Sequence, residues 1–411
     1  MAGILVLCML GASFAMVAHR LSSTIVTAPM VFIAAGALVS TVGLIDPVAS
    51  EHDLHLVAEI ALVILLFLDA AQIDLAALRK RNVWPRRMLL IGLPVSVVLG
   101  TVAGSFLFPA LSITAIALIA AILAPTDAAL GQAVVTNESV PVRPRRALIV
   151  ESGLNDGLAL PIILLFAAMT ASTESQDGIE WLIFGAKQLL LGPLVGVAAG
   201  AIGGWALLKA QAAHSTDAIY EGVGTLALAG SAYLSAVLIG GNGFIAAFVA
   251  GLTFGAIVKG ACRFVFDFPE SEGQLLTWAA FFLLGAALVP EAITHLTLPM
   301  LGLILISLFL LRPLAIWISL IGTDAQPITR LFFGWFGPRG LATALFALLV
   351  LEQLPHALGE NVLHLAINAV WISAVLHGVT AAPGARWYAH KLSQKDVTAP
   401  PGQIIQAKEK Q

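Results

Sequence analysis

The chain has 411 residues, of which 59% are hydrophobic and 11% are charged. A typical soluble domain carries about 25% charged residues, so this composition excludes an ordinary soluble globular protein. The formal net charge of −3 gives no basic surface for nucleic acid. Cys8 and Cys262 fall in a predicted span and a predicted loop, so neither a disulfide nor a cysteine-based metal site is expected.

Apolar runs of roughly 17–25 residues predict transmembrane helices, and about thirteen occur here. They start near residues 2, 24, 54, 87, 110, 145, 187, 219, 241, 273, 298, 330 and 361. No basic residue precedes the first run, and His19 and Arg20 follow it, so we interpret it as a span and not as a cleaved signal peptide. The predicted fold class is an all-α polytopic membrane protein with about 13 transmembrane helices.

Basic and acidic residues occupy alternate loops. Lysine and arginine lie at 20, 79–87, 143–146, 209, 259–263, 330 and 386–410, whereas acidic stretches lie at 46–53 and 172–180. Because positive charge marks the cytoplasmic side, we expect the N-terminus outside and the C-terminus inside, in a bacterial inner membrane. The stretch "HGVTAAP" (377–383) predicts the end of the last span. A membrane domain at 1–385 would then precede a short, largely disordered cytoplasmic tail at 386–411.

Two spans carry a break near their middle. One contains Pro125-Thr126-Asp127, and the other contains Gly337-Pro338-Arg339-Gly340. Proline removes a backbone donor and frees a carbonyl, and such groups in a membrane must be satisfied within the protein or face a wet cavity. With the seventh span as a linker, the breaks fall on spans five and twelve. This pattern predicts two inverted six-helix repeats with broken crossing helices, as in secondary transporters.

The span "RRALIVESGLNDGLALPIILLF" (145–166) holds polar residues where hydrocarbon is expected. Charged groups at mid-bilayer cost at least about 2.5 kcal/mol and are by default functional-site candidates. Glu151 and Asn155 share a helix face through their i,i+4 spacing, and so do Ser152 and Asp156. Other spans add Asp69, Thr126, Asp127 and Arg339 to this candidate set.

A buried arginine keeps its charge and needs an acidic partner. We therefore expect Arg339 to pair with Glu151, with Asp69, or with both, as a structural ion pair. Arg312 is expected to satisfy a nearby carbonyl, a structural role. Asp156 would then have no fixed cation and could bind either a proton or a small hard cation, with Ser152 and Thr126 as further ligands. Exclusive binding at one site with alternating access is antiport.

The motifs "APTDAA", "ESGLNDGLALP" and "GWFGPRGLA" occur in this order. Together with "GNGFIAAFVAGL" (241–252) and "FFLLGAAL" (281–288), they resemble the sodium/proton exchanger branch of the cation:proton antiporter superfamily over roughly residues 1–385. The resemblance implies a homodimer, with dimerisation spans at approximately 1–75 and 219–290. It also implies a mobile core at approximately 87–168 and 298–383, and no cofactor.

Matched by motif, the resemblance gives Asp156 the ion- and proton-binding role, beside Asn155. It gives coordination to Thr126 and Ser152, the structural ion pair to Glu151 with Arg339, and the acidic position of span three to Asp69. The Asn-Asp pair resembles the branch associated with one-for-one, electroneutral exchange. Two departures bear on which cation is carried: alanine follows Asp127 in place of the commoner proline, and "FGP" precedes Arg339 in place of a glycine-rich form.

Three alternatives remain at this stage. Exchange of potassium or lithium for protons on the same scaffold is the main one, and the absence of a nucleotide-binding regulatory domain favours sodium. An intramembrane aspartyl protease would use Asp127 and Asp156, but the second acid follows Gly153-Leu154-Asn155 and not a G-x-G-D pattern, and a buried arginine has no role in peptide cleavage. A channel would need a continuous polar pore, whereas the polar residues cluster at mid-depth.

Overall fold

The computed structural model describes residues 2–21, 24–44, 47–73, 83–127, 130–135, 137, 139–174, 178–265, 267 and 272–398. Within these ranges the regular secondary structure is helical. The helices are α1 Ala2–Leu21, α2 Ala28–Thr41, α3 Pro47–Ala71, α4 Val83–Arg87, α5 Leu93–Leu107, α6 Ile113–Ile122, α7 Gln132–Val135, α8 Val142–Glu174 and α9 Gly178–Ala212. They continue with α10 Ala218–Leu238, α11 Gly243–Val258, α12 Glu272–Ala287, α13 Val289–Thr294, α14 Leu298–Ile306, α15 Arg312–Ser319, α16 Pro327–Trp335, α17 Leu341–Leu351 and α18 His356–Thr398.

Each of the thirteen predicted runs contains at least one of these helices, so the all-helical, multi-pass fold class is confirmed. In the described part of the chain, seven helical segments are by themselves long and apolar enough to cross a membrane. Shorter apolar helices lie between them, among them one half of each broken span, Ile113–Ile122 and Leu341–Leu351. The count of thirteen spans stays a prediction.

Two π-helical turns mark corresponding spans of the predicted repeats. Met88–Gly92 joins α4 to α5, and Ser307–Leu311 joins α14 to α15. A proline stands at the second residue after each turn, Pro94 and Pro313. Proline cannot donate to the carbonyl four residues back, and a π turn is one way for a helix to absorb this lost bond. Spans four and eleven therefore share a distortion, as spans five and twelve share a break.

Close backbone approaches position α3, which carries Asp69. A Cβ atom at Gly251 would collide with the backbone carbonyl oxygen of Phe67, and one at Gly255 would collide with that of Ala71. Only glycine lets α11 approach α3 this closely, a packing mode common between membrane helices. The motif at 241–252 is thereby explained as a packing surface that fixes the height of Asp69 in the bundle.

The last helix is longer than the sequence predicts. It continues through Pro383 and ends at Thr398, so the predicted termination within 377–383 is wrong. Tyr388 is fully buried, and its hydroxyl lies 2.9 Å from that of Thr329 at the start of α16. The last helix therefore continues past residue 385, and the Tyr388 side chain docks this stretch onto the bundle. Residues 399–411 of the predicted tail lie outside the described residues.

A polar cluster joins three elements at the end of the bundle where α16 begins. Arg143 donates to Asp324 through Nη1 at 2.5 Å and Nη2 at 3.0 Å, and Trp84 donates through Nε1 at 2.8 Å. The Arg143 guanidinium also lies 3.7 Å from the centre of the Trp84 ring. The hydrogen bonds from Arg143, with that from Trp84, hold the pKa of Asp324 below its usual value. This cluster links the starts of α4 and α8 to the loop before α16.

We expect Asp324→Asn to lower the stability of the folded protein by at most about 1 kcal/mol, because the ion pair between Arg143 and Asp324 is largely exposed and solvent screens it. A carboxyl whose pKa is lowered by folding stabilises the protein above its unfolded pKa. The difference between wild type and variant should therefore be complete at neutral pH and should shrink as the pH falls below about 3.8. Thermal unfolding in detergent across this pH range measures it, with the exposed Glu352→Gln as control. An equal difference at every pH would contradict this role for Asp324.

Candidate functional site

The two broken spans cross, and each break uses the backbone of the other. Helix α6 ends at Ile122, and the second break separates α16, which ends at Trp335, from α17, which begins at Leu341. The amide of Asp127 donates to the carbonyl oxygen of Pro338 at 2.9 Å. Freed backbone groups of one break thus find partners in the other, which is the condition for irregular backbone inside a membrane protein.

Arg339 donates hydrogen bonds to carbonyl groups at the crossing and not to a carboxylate. Its Nη1 atom lies 3.1 Å from the carbonyl oxygens of Ala124 and Pro125 and 3.3 Å from that of Gly337. Its Nη2 atom lies 3.4 Å from Ser307 Oγ. These carbonyls follow the C-terminal ends of α6 and α16, where the helix dipoles are negative. The guanidinium group therefore neutralises two converging helix ends.

The predicted pairing of Glu151 with Arg339 is wrong: the partner of Glu151 is Arg312. Arg312 Nη1 lies 2.8 Å from Glu151 Oε1, and Nη2 lies 3.0 Å from Oε2, a bidentate pair with both side chains almost fully buried. Among the described residues Asp69 forms no ion pair with either arginine. The prediction failed because carbonyl oxygens take the place of a carboxylate as the partners of Arg339. The spacing of residues along the chain does not reveal such partners.

Arg312 is the functional residue that sequence reasoning undervalued. It was expected to satisfy a carbonyl, whereas it supplies the only buried arginine–carboxylate pair among the described residues. The available signal was its position directly before Pro313 in a fully apolar span, which parallels the break at Pro338-Arg339. A Cβ atom at Gly337 would collide with the Arg312 guanidinium, so the glycine of "FGP" gives the pair its space.

Asp127 is held at the start of α17. Its Oδ2 atom accepts the amide hydrogen of Leu341 at 2.9 Å, so the carboxylate faces the positive end of that helix. A Cβ atom at Gly340 would overlap the Asp127 carboxylate. The Asp127 carboxylate thus has a structural partner, and the missing side chain of Gly340 leaves the space that this carboxylate occupies.

The structure brings Thr126, Ser152 and Asn155 together. Asn155 Nδ2 donates to Thr126 Oγ1 at 2.6 Å and reaches the Thr126 carbonyl oxygen at 3.2 Å. Thr126 Oγ1 also lies 3.2 Å from Ser152 Oγ and 3.3 Å from Glu151 Oε2. Asn155 therefore fixes the first break against α8, and the hydroxyl groups bridge it to the Glu151 carboxylate.

Asp156 lies beside this cluster on α8 and is half-buried. Its Oδ1 atom and the Oδ1 atom of Asn155 are buried without a hydrogen-bond partner in the described part of the chain. Asp127, Asp69 and Glu151 lie close enough to act on Asp156 electrostatically. The next residue, Gly157, has the Phe248 ring where a Cβ would lie, so α11 walls one side of the acid. An acid with an unpartnered oxygen and further carboxylates nearby is suited to binding a proton or a cation.

We expect single removal of Glu151 or Arg312 to cost more stability than removal of both, because one partner alone leaves an unpaired buried charge, worth about 3–5 kcal/mol. The comparison uses Glu151→Gln, Arg312→Gln and the double variant, with thermal unfolding as the measurement. Glu151→Gln combined with Arg339→Gln is the matched control and should show no recovery. Recovery in that control, and not in the Arg312 combination, would restore the pairing predicted from the sequence.

We expect Gly340→Ala to destabilise the protein by about 1–3 kcal/mol, the usual cost of forcing extra atoms into a well-packed site. The added methyl group would displace Asp127 from the Leu341 amide. Gly153→Ala is the control, since a Cβ at Gly153 meets nothing within 4 Å and alanine favours helix. Equal unfolding temperatures for the two variants would show that Asp127 does not need its place at the start of α17.

Comparison with known proteins places these motifs in a family. The family model described as "Sodium/hydrogen exchanger, transmembrane" matches residues 4–387. A K⁺/H⁺ antiporter NhaP2 from Shewanella sp. (strain ANA-3) is 26% identical over 368 residues, 87% of this chain and 62% of the relative. A K⁺/H⁺ antiporter NhaP from Alkalimonas amylolytica is 27% identical over 276 residues, 66% of this chain and 46% of the relative. The chain thus spans less than two thirds of the length of these relatives.

A solved structure shares the fold. The sodium proton antiporter MjNhaP1 from Methanocaldococcus jannaschii, at pH 8, superposes with a TM-score of 0.77 and 21% sequence identity, covering 95% of this chain and 97% of that one. The family match over residues 4–387 confirms the resemblance predicted from the sequence motifs, and the superposition shows the shared fold. The chain is an integral, multi-pass membrane protein, and it belongs to the sodium/hydrogen exchanger family.

Proposed function

We propose that the protein is a secondary active antiporter that exchanges a monovalent cation for protons, with both competing for Asp156. The observation that carries the proposal is the unpartnered Asp156 oxygen beside Thr126, Ser152 and Asn155. Of the other acids, Glu151 is paired with Arg312 and Asp127 accepts a hydrogen bond at the start of α17, and Asp69 lies on a different helix, α3. The family contains transporters and the motifs fit one, so we propose no enzymatic activity.

The chemistry of the cluster supports competition. The charge of a carboxylate in a low-dielectric site must be compensated by a proton or by a cation. Protonation removes the negative charge that attracts the cation, so the two compete. Asp156, Ser152 and Thr126 would supply oxygen ligands, with carbonyl groups freed at the first break and water completing the shell. Asn155 would position Thr126 through its amide, and Asp69 and Asp127 would act on Asp156 through their charges.

A neutral Asn155 supports one-for-one, electroneutral exchange. With asparagine beside Asp156, only one carboxyl at this position would exchange a proton for a cation in each cycle. Asp69 lies on a different helix and is proposed to tune the charge on Asp156, not to carry a second ion.

Sodium is the cation proposed first, and potassium is the alternative. The description of the family and the name of MjNhaP1 refer to sodium, whereas the curated relatives from Shewanella and Alkalimonas are named as potassium/proton antiporters. Lithium would follow sodium as a small hard cation. The site itself offers the same oxygen atoms to each.

The arrangement in the membrane is part of the proposal. The basic end of the bundle, with Arg86, Arg87 and Arg143, would face the cytoplasm. Spans at approximately 87–168 and 298–383 would form the mobile core, since they contribute both breaks and Asp156. Spans at approximately 1–75 and 219–290 would hold a homodimer in the bacterial inner membrane.

We expect Asp156→Asn to abolish exchange, because asparagine can neither release a proton nor neutralise a cation. Proteoliposomes with a trapped pH-sensitive dye and an imposed pH gradient measure this when NaCl, KCl or LiCl is added. Wild type should dissipate the gradient with sodium, independently of the membrane potential. Ser105→Ala is a control, since Ser105 bonds only its own helix, through Thr101, among the described contacts.

The outcomes separate the parts of the proposal. Dissipation by potassium alone would keep the mechanism and replace the cation. Dependence of the rate on membrane potential would exclude one-for-one exchange. An Asp156→Asn variant as active as wild type would refute Asp156 as the carrier.

A further inference from the structure

A second cluster of potential metal ligands uses none of the residues around Asp156. Glu291, His295 and His364 each place one potential ligand atom within 4.8 Å of the others. His364 Nε2 lies 3.7 Å from Glu291 Oε1, and the two imidazole rings are stacked with centres 4.5 Å apart. Glu291 lies in the first turn of α13, His295 directly follows that helix, and His364 lies near the start of α18.

We propose that Glu291, His295 and His364 bind a divalent transition-metal ion of the zinc class. Two imidazoles and one carboxylate form a ligand set that zinc accepts, with a water molecule completing four-coordination. Nitrogen ligands favour such metals over magnesium or calcium, which prefer oxygen. The site is independent of the transported cation, whose proposed ligands are all oxygen atoms.

The contacts of the His295 ring leave its Nε2 atom available to a metal ion. Its Nδ1 atom lies 3.0 Å from the carbonyl oxygen of Glu291 and 3.2 Å from Thr294 Oγ1. A carbonyl can only accept, so Nδ1 carries the hydrogen and Nε2 keeps its lone pair for a metal. A backbone carbonyl in contact with the second ring nitrogen is the usual support of a metal-bound histidine.

The two histidines come from separate helices that are already fastened to each other. Asn368 on α18 donates through Nδ2 to the carbonyl oxygen of Ala292 on α13 at 2.6 Å. The residue one turn before it, His364, has a largely buried side chain, whereas Glu291 and His295 are exposed. Because the two rings are stacked at an interplanar angle of 10°, binding requires the exposed side chains to rotate and the rings to tilt about χ2, which is a soft torsion.

Access to the site is open. A cavity of about 340 Å³ adjoins it, lined by both polar and apolar residues, among them Glu291, Glu352, Glu360 and His364. These acids attract cations toward the mouth of the cavity. A bound ion would connect α13, which joins the proposed dimerisation spans to the proposed core, with α18 of the core.

The test is calorimetric titration of ZnCl₂ into the tag-free, full-length protein, freed of metals by chelator and held in detergent at neutral pH. Wild type should bind one Zn²⁺ per chain. His295→Ala should weaken binding at least about 100-fold, since loss of even an outer-shell partner costs 10–100-fold. His364→Gln should weaken it as well, and MgCl₂ should give no saturable binding.

His356→Ala is the matched control. His356 is an exposed histidine at the same end of the bundle, it pairs with Glu360 and lines the same cavity, yet it is not a member of the cluster. Its affinity for Zn²⁺ should equal that of wild type. The proposal is overturned if wild type shows no saturable binding, if His295→Ala binds as tightly as wild type, or if His356→Ala loses binding as His295→Ala does. Because exchange activity is not the readout, these outcomes are independent of the proposed antiport.

Discussion

The crossing of the two broken spans is the constraint on which the rest of the site depends. Each break releases backbone donors and acceptors inside an apolar bundle, where an unsatisfied group costs several kcal/mol. The amide of Asp127 and the carbonyl of Pro338 satisfy each other, and the side chains of Arg339 and Asp127 meet further carbonyl and amide groups. A positive group thus meets the C-terminal ends and a negative group meets an N-terminal end. The irregular backbone is stable because each break carries the counter-charge that the other requires.

This arrangement decides which acid can exchange its partner. Asp127 is committed to α17, and Glu151 is committed to Arg312 by two hydrogen bonds. Asn155 is neutral and uses its amide on Thr126. Asp156 is left with a buried oxygen that has no partner within the described structure. A carboxyl in that condition is unstable as a bare charge, and recruiting a proton or a cation relieves the instability. The free-energy cost of burying the unpaired Asp156 carboxylate is therefore also the source of its affinity for the proposed cation or proton.

Much of this could be predicted from the sequence, for identifiable reasons. Apolar runs located every described long helix, since the thickness of the bilayer sets the length of an apolar run that crosses it. Proline followed by an acid or an arginine located both breaks, and i,i+4 spacing placed Glu151 with Asn155 and Ser152 with Asp156. The identity of the partner of Glu151 could not be predicted, because Arg312 and Arg339 are both buried and spacing along the chain does not measure distance across a bundle. Pro383 was misread as a terminator, because packing of Tyr388 on the bundle outweighs the lost backbone bond.

Helix α18 holds both ends of the second break as one unit. His377 Nε2 lies 2.9 Å from the carbonyl oxygen of Trp335, which accepts only, so that nitrogen carries the hydrogen. Nδ1 lies 3.0 Å from both the hydroxyl and the carbonyl oxygen of Ser373, and Ser373 Oγ accepts the amide hydrogen of Arg339 at 2.7 Å. Two residues one turn apart on α18 therefore fasten the last residue of α16 and the amide of Arg339. Any movement of the crossing must carry α18 with it, since separating them would leave two backbone groups without their hydrogen-bond partners.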